Sequence, residues 1–405
     1  MKINTNKKII QDLLSRSVST ILPSKETLST LLESGKQLRV YTGIDPTATY
    51  VHLGHSTNYF ILKRFHELGH KVIVLIGDFT AMIGDPSDKT SARKQLTKDD
   101  VLENLKTFKD QIGKILDFNN TENPIEFRFN NEWLEKLSFK DVVELASHFT
   151  VQQMIERDAF EKRLKEQKPL YVHEFFYPLM QGYDSVALEA DLEIGGTDQT
   201  FNMLAGRTLV REYQNREKFV MVTTLLENPV TGEKLMSKSL GTGIGLDENP
   251  TDMYGKTMRL PDEALIQCFV DCTEMSLDEI ESIKTQLDTG TNPRDVKMRL
   301  AREIVKMYHS EELAIHAEQD FISKFQKKEI PDELEKISIS EGSTLVEVLL
   351  EKGMIDSKTA WRRLVEDGAV TNLETKEKIT DIDFVPQGKT LIKIGKKIFI
   401  ECVID

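Results

Sequence analysis

The sequence predicts an α/β protein: a doubly wound parallel sheet, followed by a helical domain and a small α+β tail. Three observations point there. Continuous apolar runs such as "KVIVLIGDF" and "KFVMVTTLL" read as strands buried on both faces, as in parallel sheets. Segments of helical periodicity alternate with them. From about residue 250 the strand signals stop, and they return only near the end, where "KTLIKIGKKIFIECV" alternates with a period of two.

A chain of 405 residues is long enough for two or three domains, and 39% hydrophobic with 29% charged residues describes an ordinary globular protein. No apolar run approaches the roughly 20 residues of a membrane-spanning helix, so no membrane partner is expected. The start, "MKINTNKKIIQDLLSRSV", lacks the apolar stretch of a secretory signal and reads as a helix. Cys268, Cys272 and Cys402 are few and odd in number, which predicts a reducing compartment, the cytoplasm, without a disulfide framework. Cys268 and Cys272 stand one helical turn apart and read as core. A net charge of −13 argues against a protein coated by nucleic acid, but not against local patches that grip phosphates.

"QLRVYTGID" reads as the first strand and leads through a Pro/Thr turn into "HLGHSTNYFILKRFHELGH". There Ile61, Phe65 and Leu68 recur at helical spacing and Gly69 marks the stop. "KVIVLIGDF" is the second strand, and a long charged helix is expected from about Lys94 to Leu116. "IEFRFNN", "ADLEIGG" and "KFVMVTTLL" supply the third to fifth strands. The expected domains are 1–249 (α/β), 250–330 (helical), a polar linker at 331–341, and 342–405. In that last part "TLVEVLLEKG" and "SKTAWRRLVEDGAV" read as helices before a hairpin turning near Gly395.

In such sheets ligands sit at the carboxyl ends of the strands, and the candidate motifs follow strands. In "YTGIDPTATYVHLGHS" a helix begins near His52 and His55. A helix N-terminus offers free N–H groups and partial positive charge to a phosphate. Both histidines can donate to it, Gly54 lets a flat base approach, and Thr47 adds a hydroxyl. A metal clamp fits less well, since zinc helices space two histidines at i, i+4 around a Glu and no third ligand is evident nearby. "EKLMSKSLGTG" carries Lys234 and Lys238 among small residues, as a loop closing over a polyphosphate would. Tyr177, Gln181 and Asp184 at i, i+4 and i+7 share one helix face. Pro178 predicts a kink or a helix start there. Asp85 can pair with a substrate ammonium, and Lys89 and Arg93 lie one turn apart as cations for phosphate.

HLGH early and MSKS late on a doubly wound sheet resemble the signatures HIGH and KMSKS of the class I aminoacyl-tRNA synthetases. Within them the chain most resembles the bacterial tyrosyl type, over nearly its whole length and including an S4-like RNA-binding tail. "TAMIGDPSDKTSAR" looks like the family's GDPSGK segment, through Thr80, Asp85, Lys89 and Arg93. "FFYPLMQGYDS" looks like its tyrosine-binding helix, "LEIGGTDQ" like its ribose segment through Gly196, Asp198 and Gln199, and Tyr41 and Asp45 match its tyrosine pocket.

The resemblance implies a Rossmann-like ligase that activates tyrosine with ATP and transfers it to tRNA(Tyr), with Mg²⁺ accompanying ATP and two subunits forming a homodimer. It implies that Thr47, His52, Lys89, Arg93 and Lys238 stabilise departing pyrophosphate. His55, Gly196 and Asp198 hold the nucleoside. Tyr41 and Asp184 give the phenol a donor and an acceptor. Asp85, Tyr177 and Gln181 hold the amino group, and Gln199 lies near the carboxylate. On the tail, Lys358, Arg362 and Arg363 fall near one helix face as RNA contacts.

Three positions depart from the pattern: Leu235 stands where the first signature lysine is usual, Asp88 where a glycine is common, and "VTNLE" replaces a Val-Asn-Gly-Glu turn. A tryptophanyl-type enzyme shares fold and signatures, but the pairing of Tyr41 with Asp184 and the S4-like tail argue against it. A regulatory RNA-binding protein on an inactive synthetase fold is opposed by the intact HLGH, Lys238 and the polar helix face.

Overall fold

The computed structural model describes residues 2–87, 96–155, 158–236, 242–323, 335–340, 342–375, 377–386, 388–395 and 398–404. The chain divides into two compact units, Met1–Asp320 and Phe321–Asp405.

The first unit is organised by a six-stranded sheet in the order β1-β6-β5-β2-β3-β4. Its strands are β1 (Val18–Leu22), β2 (Arg39–Ile44), β3 (Lys71–Ile76), β4 (Glu126–Phe129), β5 (Leu192–Gly196) and β6 (Phe219–Thr223). The five strands read from the sequence are all present and mutually parallel where they pair. β3 and β6 are buried almost throughout, as their unbroken apolar runs require. From the central β2 the chain winds outward to β3 and β4, then returns to β5 on the other side. The crevice at the carboxyl ends of β2 and β5 is therefore the topological switch point, where such folds bind ligands.

β1 was not expected. It pairs antiparallel with β6, so the sheet is mixed at one edge. Of "VSTIL" only Ile21 is fully buried, which leaves almost no apolar signal. The single long helix expected at 94–116 is instead two helices over the described residues, Lys98–Leu105 and Phe108–Gly113. Thr97 caps the first through Asp100, and Gln111 of the second turns its side chain to the backbone of Val51, at 2.6 Å, and of Thr49. Pro178 starts the helix Tyr177–Ala187 rather than kinking it. It lies in the first turn, where its missing N–H costs nothing.

The helices from Pro250–Thr257 to Pro293–Tyr308 belong to the same compact unit as the sheet. The Arg16 guanidinium, buried beside β1, donates to the carbonyls of Thr273 and Met275, each at 2.6 Å. Thr224, just past β6, donates to Asp271. Cys268 and Cys272 are fully buried on the helix Leu265–Cys272, and burial pushes the Cys268 thiol up to about 12.

The second unit carries a four-stranded sheet in the order β7-β10-β9-β8, from β7 (Glu335–Ile339), β8 (Val370–Asn372), β9 (Thr390–Ile394) and β10 (Ile398–Ile404). β9 and β10 form the expected hairpin, with Gly395 at φ 61° in its turn. The polar linker expected at 331–341 is corrected in part: β7 lies inside it and pairs parallel with β10. Ile337 and Ile339 alternate into the small core that also holds Trp361 and Ile392. Both expected helices, Leu345–Glu351 and Lys358–Glu366, are present.

Candidate functional site

A cavity of about 690 Å³ opens at the carboxyl ends of β2 to β6. Residues just past each strand line it: Asp45, Gly77, Asn130, Asp198 and Thr224. Tyr41, Thr47, Thr80, Tyr177 and Gln181 line it as well.

Asp184 and Tyr41 mark its buried end; they are 2% and 1% exposed. Asp184 Oδ1 accepts from Trp133 Nε1 at 2.7 Å and Oδ2 from Asn130 Nδ2 at 3.3 Å. Burial nevertheless holds the Asp184 carboxyl well above the ordinary carboxylate range, against those two bonds. The Tyr41 hydroxyl lies 2.7 Å from Ser185 Oγ; burial first, then Glu193 and Asp184, push its pKa up.

Next along the cavity is a ring of polar groups. Asp45 accepts from Thr80 Oγ1 at 2.7 Å and from Tyr177 Oη at 2.9 Å. Asn130 Nδ2 donates to Thr80 at 3.0 Å. Asp85 accepts from Ser87 and, at 2.7 Å, from Gln199 Nε2. The three residues expected around an amino group thus line one cavity, each tied to a separate partner: Tyr177 to Asp45, Asp85 to Gln199, and Gln181 to Glu193 at 3.0 Å.

The remaining wall is the N-terminus of the helix Leu53–Glu67, capped by His52. The His52 N–H donates to His55 Nδ1 at 3.2 Å, and the two rings stack with centroids 3.7 Å apart. A Cβ on Gly54 would come within 3.1 Å of the His52 ring and 3.2 Å of Met236, so the glycine lets the two signature segments meet. A Cβ on Gly196 would lie 2.7 Å from Asp198 Oδ1. Lys234 lines the cavity 3.9 Å from Asp198 Oδ2. Lys89, Arg93 and Lys238 lie outside the described residues. In the second unit Lys358, Arg362 and Arg363 are all exposed, on the helix that buries Trp361 and Val365.

Sequence reasoning missed Asn130, Trp133, Ser185, Glu193 and Lys218. Asn130 sits directly after β4, where the strand-end rule applies. Glu193 is an acid in the middle of an apolar strand, which by itself demands a buried partner.

Comparison with known proteins shows the family. Residues 33–326 match the family described as tRNA synthetases class I (W and Y), and the chain belongs to that class. The chain is 46% identical over 407 residues to the tyrosine--tRNA ligase of Carboxydothermus hydrogenoformans, covering 97% of each chain. It is 44% identical to that of Thermotoga maritima, covering 96% of this chain and 95% of the relative. Within the class it thus falls in the tyrosine--tRNA ligase family. Among solved structures, a C-terminally truncated mitochondrial tyrosyl-tRNA synthetase from Aspergillus nidulans superposes with a TM-score of 0.65 at 22% identity, over 78% of this chain and 94% of that one. The tyrosyl-tRNA synthetase of Archaeoglobus fulgidus, complexed with L-tyrosine, gives 0.60 at 21%, over 78% and 100%. These two likenesses concern the fold.

Proposed function

We propose that this chain activates L-tyrosine with ATP and transfers the tyrosyl group to the 3′ end of tRNA(Tyr). The observation that carries the reading is one cavity with two unlike regions. Its buried end holds an acid and a phenol, Asp184 and Tyr41, and its wall is a helix N-terminus with two histidines. The first suits a ligand hydroxyl, to which it offers a donor and an acceptor. The second suits a polyphosphate.

Tyrosine lies with its hydroxyl between Tyr41 and Asp184, its ammonium near Asp85, Tyr177 and Gln181, and its carboxylate near Gln199. That carboxylate attacks the α-phosphorus of ATP, and pyrophosphate leaves. A terminal ribose hydroxyl of the tRNA then attacks the tyrosyl carbonyl, and AMP leaves. No side-chain nucleophile takes part; positioning and charge stabilisation do the work. Gly54, His55, Gly196 and Asp198 hold the nucleoside. Thr47, His52, Lys89, Arg93 and Lys238 stabilise the departing pyrophosphate, with Mg²⁺ entering on ATP. The tail is an S4-like RNA-binding module that presents Lys358, Arg362 and Arg363, and the enzyme works as a cytoplasmic homodimer.

ATP–pyrophosphate exchange with each amino acid in turn tests the reading. Tyrosine alone should drive exchange. Exchange driven by tryptophan, or by none, overturns it.

A further inference from the structure

One wall of the cavity carries an ion pair that the reaction does not use. Glu193 of β5 and Lys218, at the entry to the neighbouring β6, are in direct contact and are 2% and 0% exposed. Lys218 also donates to the Met203 carbonyl at 3.1 Å and sits 5.9 Å from the centre of the Tyr41 ring. The space is made for them: a Cβ on Gly206 would fall 2.6 Å from Lys218 Nζ and 2.6 Å from Ser185 Oγ. Stability is a poor reason for such a pair, since apolar replacements of a buried pair are often neutral or better.

The geometry points to another use. We infer that Glu193, neutralised by Lys218, is a positioning residue that fixes which end of the Gln181 amide faces the amino group of the substrate. Donors from three side chains converge on its carboxylate. Lys218 Nζ and Ser185 Oγ (3.2 Å) take Oε2, and Gln181 Nε2 takes Oε1 at 3.0 Å. A carboxylate only accepts, so it selects the NH₂ end of Gln181 and leaves the carbonyl oxygen for the cavity that Gln181 lines. An ammonium only donates and needs that oxygen. If the amide turned over, its N–H groups would oppose the ammonium and its oxygen would oppose Glu193.

Glu193→Gln makes a directional test. Lys218 remains a donor and claims the new carbonyl oxygen. The new NH₂ then faces Gln181 and reverses its amide. The inference rests on the reading of Gln181 as an ammonium contact, so Gln181→Ala is the control. The probes are a matched pair, L-tyrosinol and 3-(4-hydroxyphenyl)propan-1-ol, which differ only in the amino group. Their binding to the full-length protein is measured by calorimetry, with melting curves alongside. Glu193→Gln should weaken tyrosinol at least about tenfold, the scale of one mispaired buried hydrogen bond, and leave the deaminated alcohol unchanged.

If the buried Lys218 left without its acid prevents folding, the neutral double variant Glu193→Leu/Lys218→Met serves instead. It leaves the amide unheld and should show the same selective loss. If Gln181→Ala is selective for tyrosinol but the Glu193 variants weaken both probes equally, or neither, the inference is overturned and the site reading stands. If Gln181→Ala is itself unselective, Gln181 is not an ammonium contact and both fall.

Discussion

Trp133 Nε1 donates to Asp184 Oδ1 at 2.7 Å, so the acid at the buried end of the cavity is held from a distant segment of the chain. Asp184 rides on the helix Tyr177–Ala187, while Trp133 lies in the short helix Asn131–Leu134 after β4. Trp133→Phe keeps an aromatic ring under the Arg128 guanidinium, now 5.5 Å from the Trp133 ring, but removes the donor. Tyrosine kcat/KM should fall about five- to tenfold, the cost of one ordinary hydrogen bond. Asp184→Ala should narrow the ratio of tyrosine to phenylalanine activation at least about tenfold, because a lost acceptor penalises only the ligand with a hydroxyl. A ratio that stays fixed while both rates or the melting temperature fall would make Asp184 a structural acid.

Gly77 allows no side chain. A Cβ there would lie 2.0 Å from Asp45 Oδ1 and 2.3 Å from Thr80 Oγ1. Gly77→Ala must turn Asp45 away, and Tyr177 then loses the oxygen it donates to. Displacing a polar cluster by about an ångström costs on the order of a hundredfold in rate. We expect that loss in tyrosine-dependent exchange, with a cooperative melting transition retained. Activity within about threefold of the parent would mean that this cluster does not position substrate.

Much of this was legible in the chain because the informative patterns are local. β2 to β6 announce themselves by apolar runs, and Tyr177, Gln181 and Asp184 by a helical period. His52 and His55 are found by their place after a strand. What escaped depends on partners distant in sequence. β1 is a strand because β6 offers it an edge, with only Ile21 to signal burial. β7 was hidden in a polar stretch because its two buried isoleucines are too few to stand out. Trp133 follows no period, since its meaning comes from Asp184 across the sheet. Glu193 and Lys218 were the exception. Each is an ion beside or inside an apolar strand, and adjacent parallel strands were the natural place to seek a pair.

Lys358, Arg362 and Arg363 are the exposed basic residues of a helix that buries Trp361 and Val365. Reversing all three to glutamate in the full-length chain should leave tyrosine-dependent exchange unchanged and weaken tRNA charging. Each lost phosphate contact should flatten the dependence of log affinity on log salt by about 0.7 to 0.9. A variant with the parental salt slope would remove this face from RNA binding.

His70 supplies a pH dependence with a definite sign. Its ring is fully buried, and Nδ1 accepts from the Leu38 N–H at 3.1 Å. The proton is therefore on Nε2, and a second proton would have to displace that bond. Burial lowers the pKa from 6.5 to about 4, against a smaller opposing pull from Asp191. Between those values the unfolded chain binds the proton and the folded chain does not. Stability from this site is therefore complete above about pH 7 and declines as pH falls through 6.5. It levels off near pH 4, with at most about 3 kcal/mol lost. His70→Asn keeps an acceptor for Leu38 without a titrating ring. Carboxylates change both proteins alike, so the difference between them isolates His70. Denaturant melts from pH 7.5 to 4 should show the parent losing more stability than the variant, with the gap opening below pH 6.5. Parallel curves over that range would show that His70 is not the group that titrates.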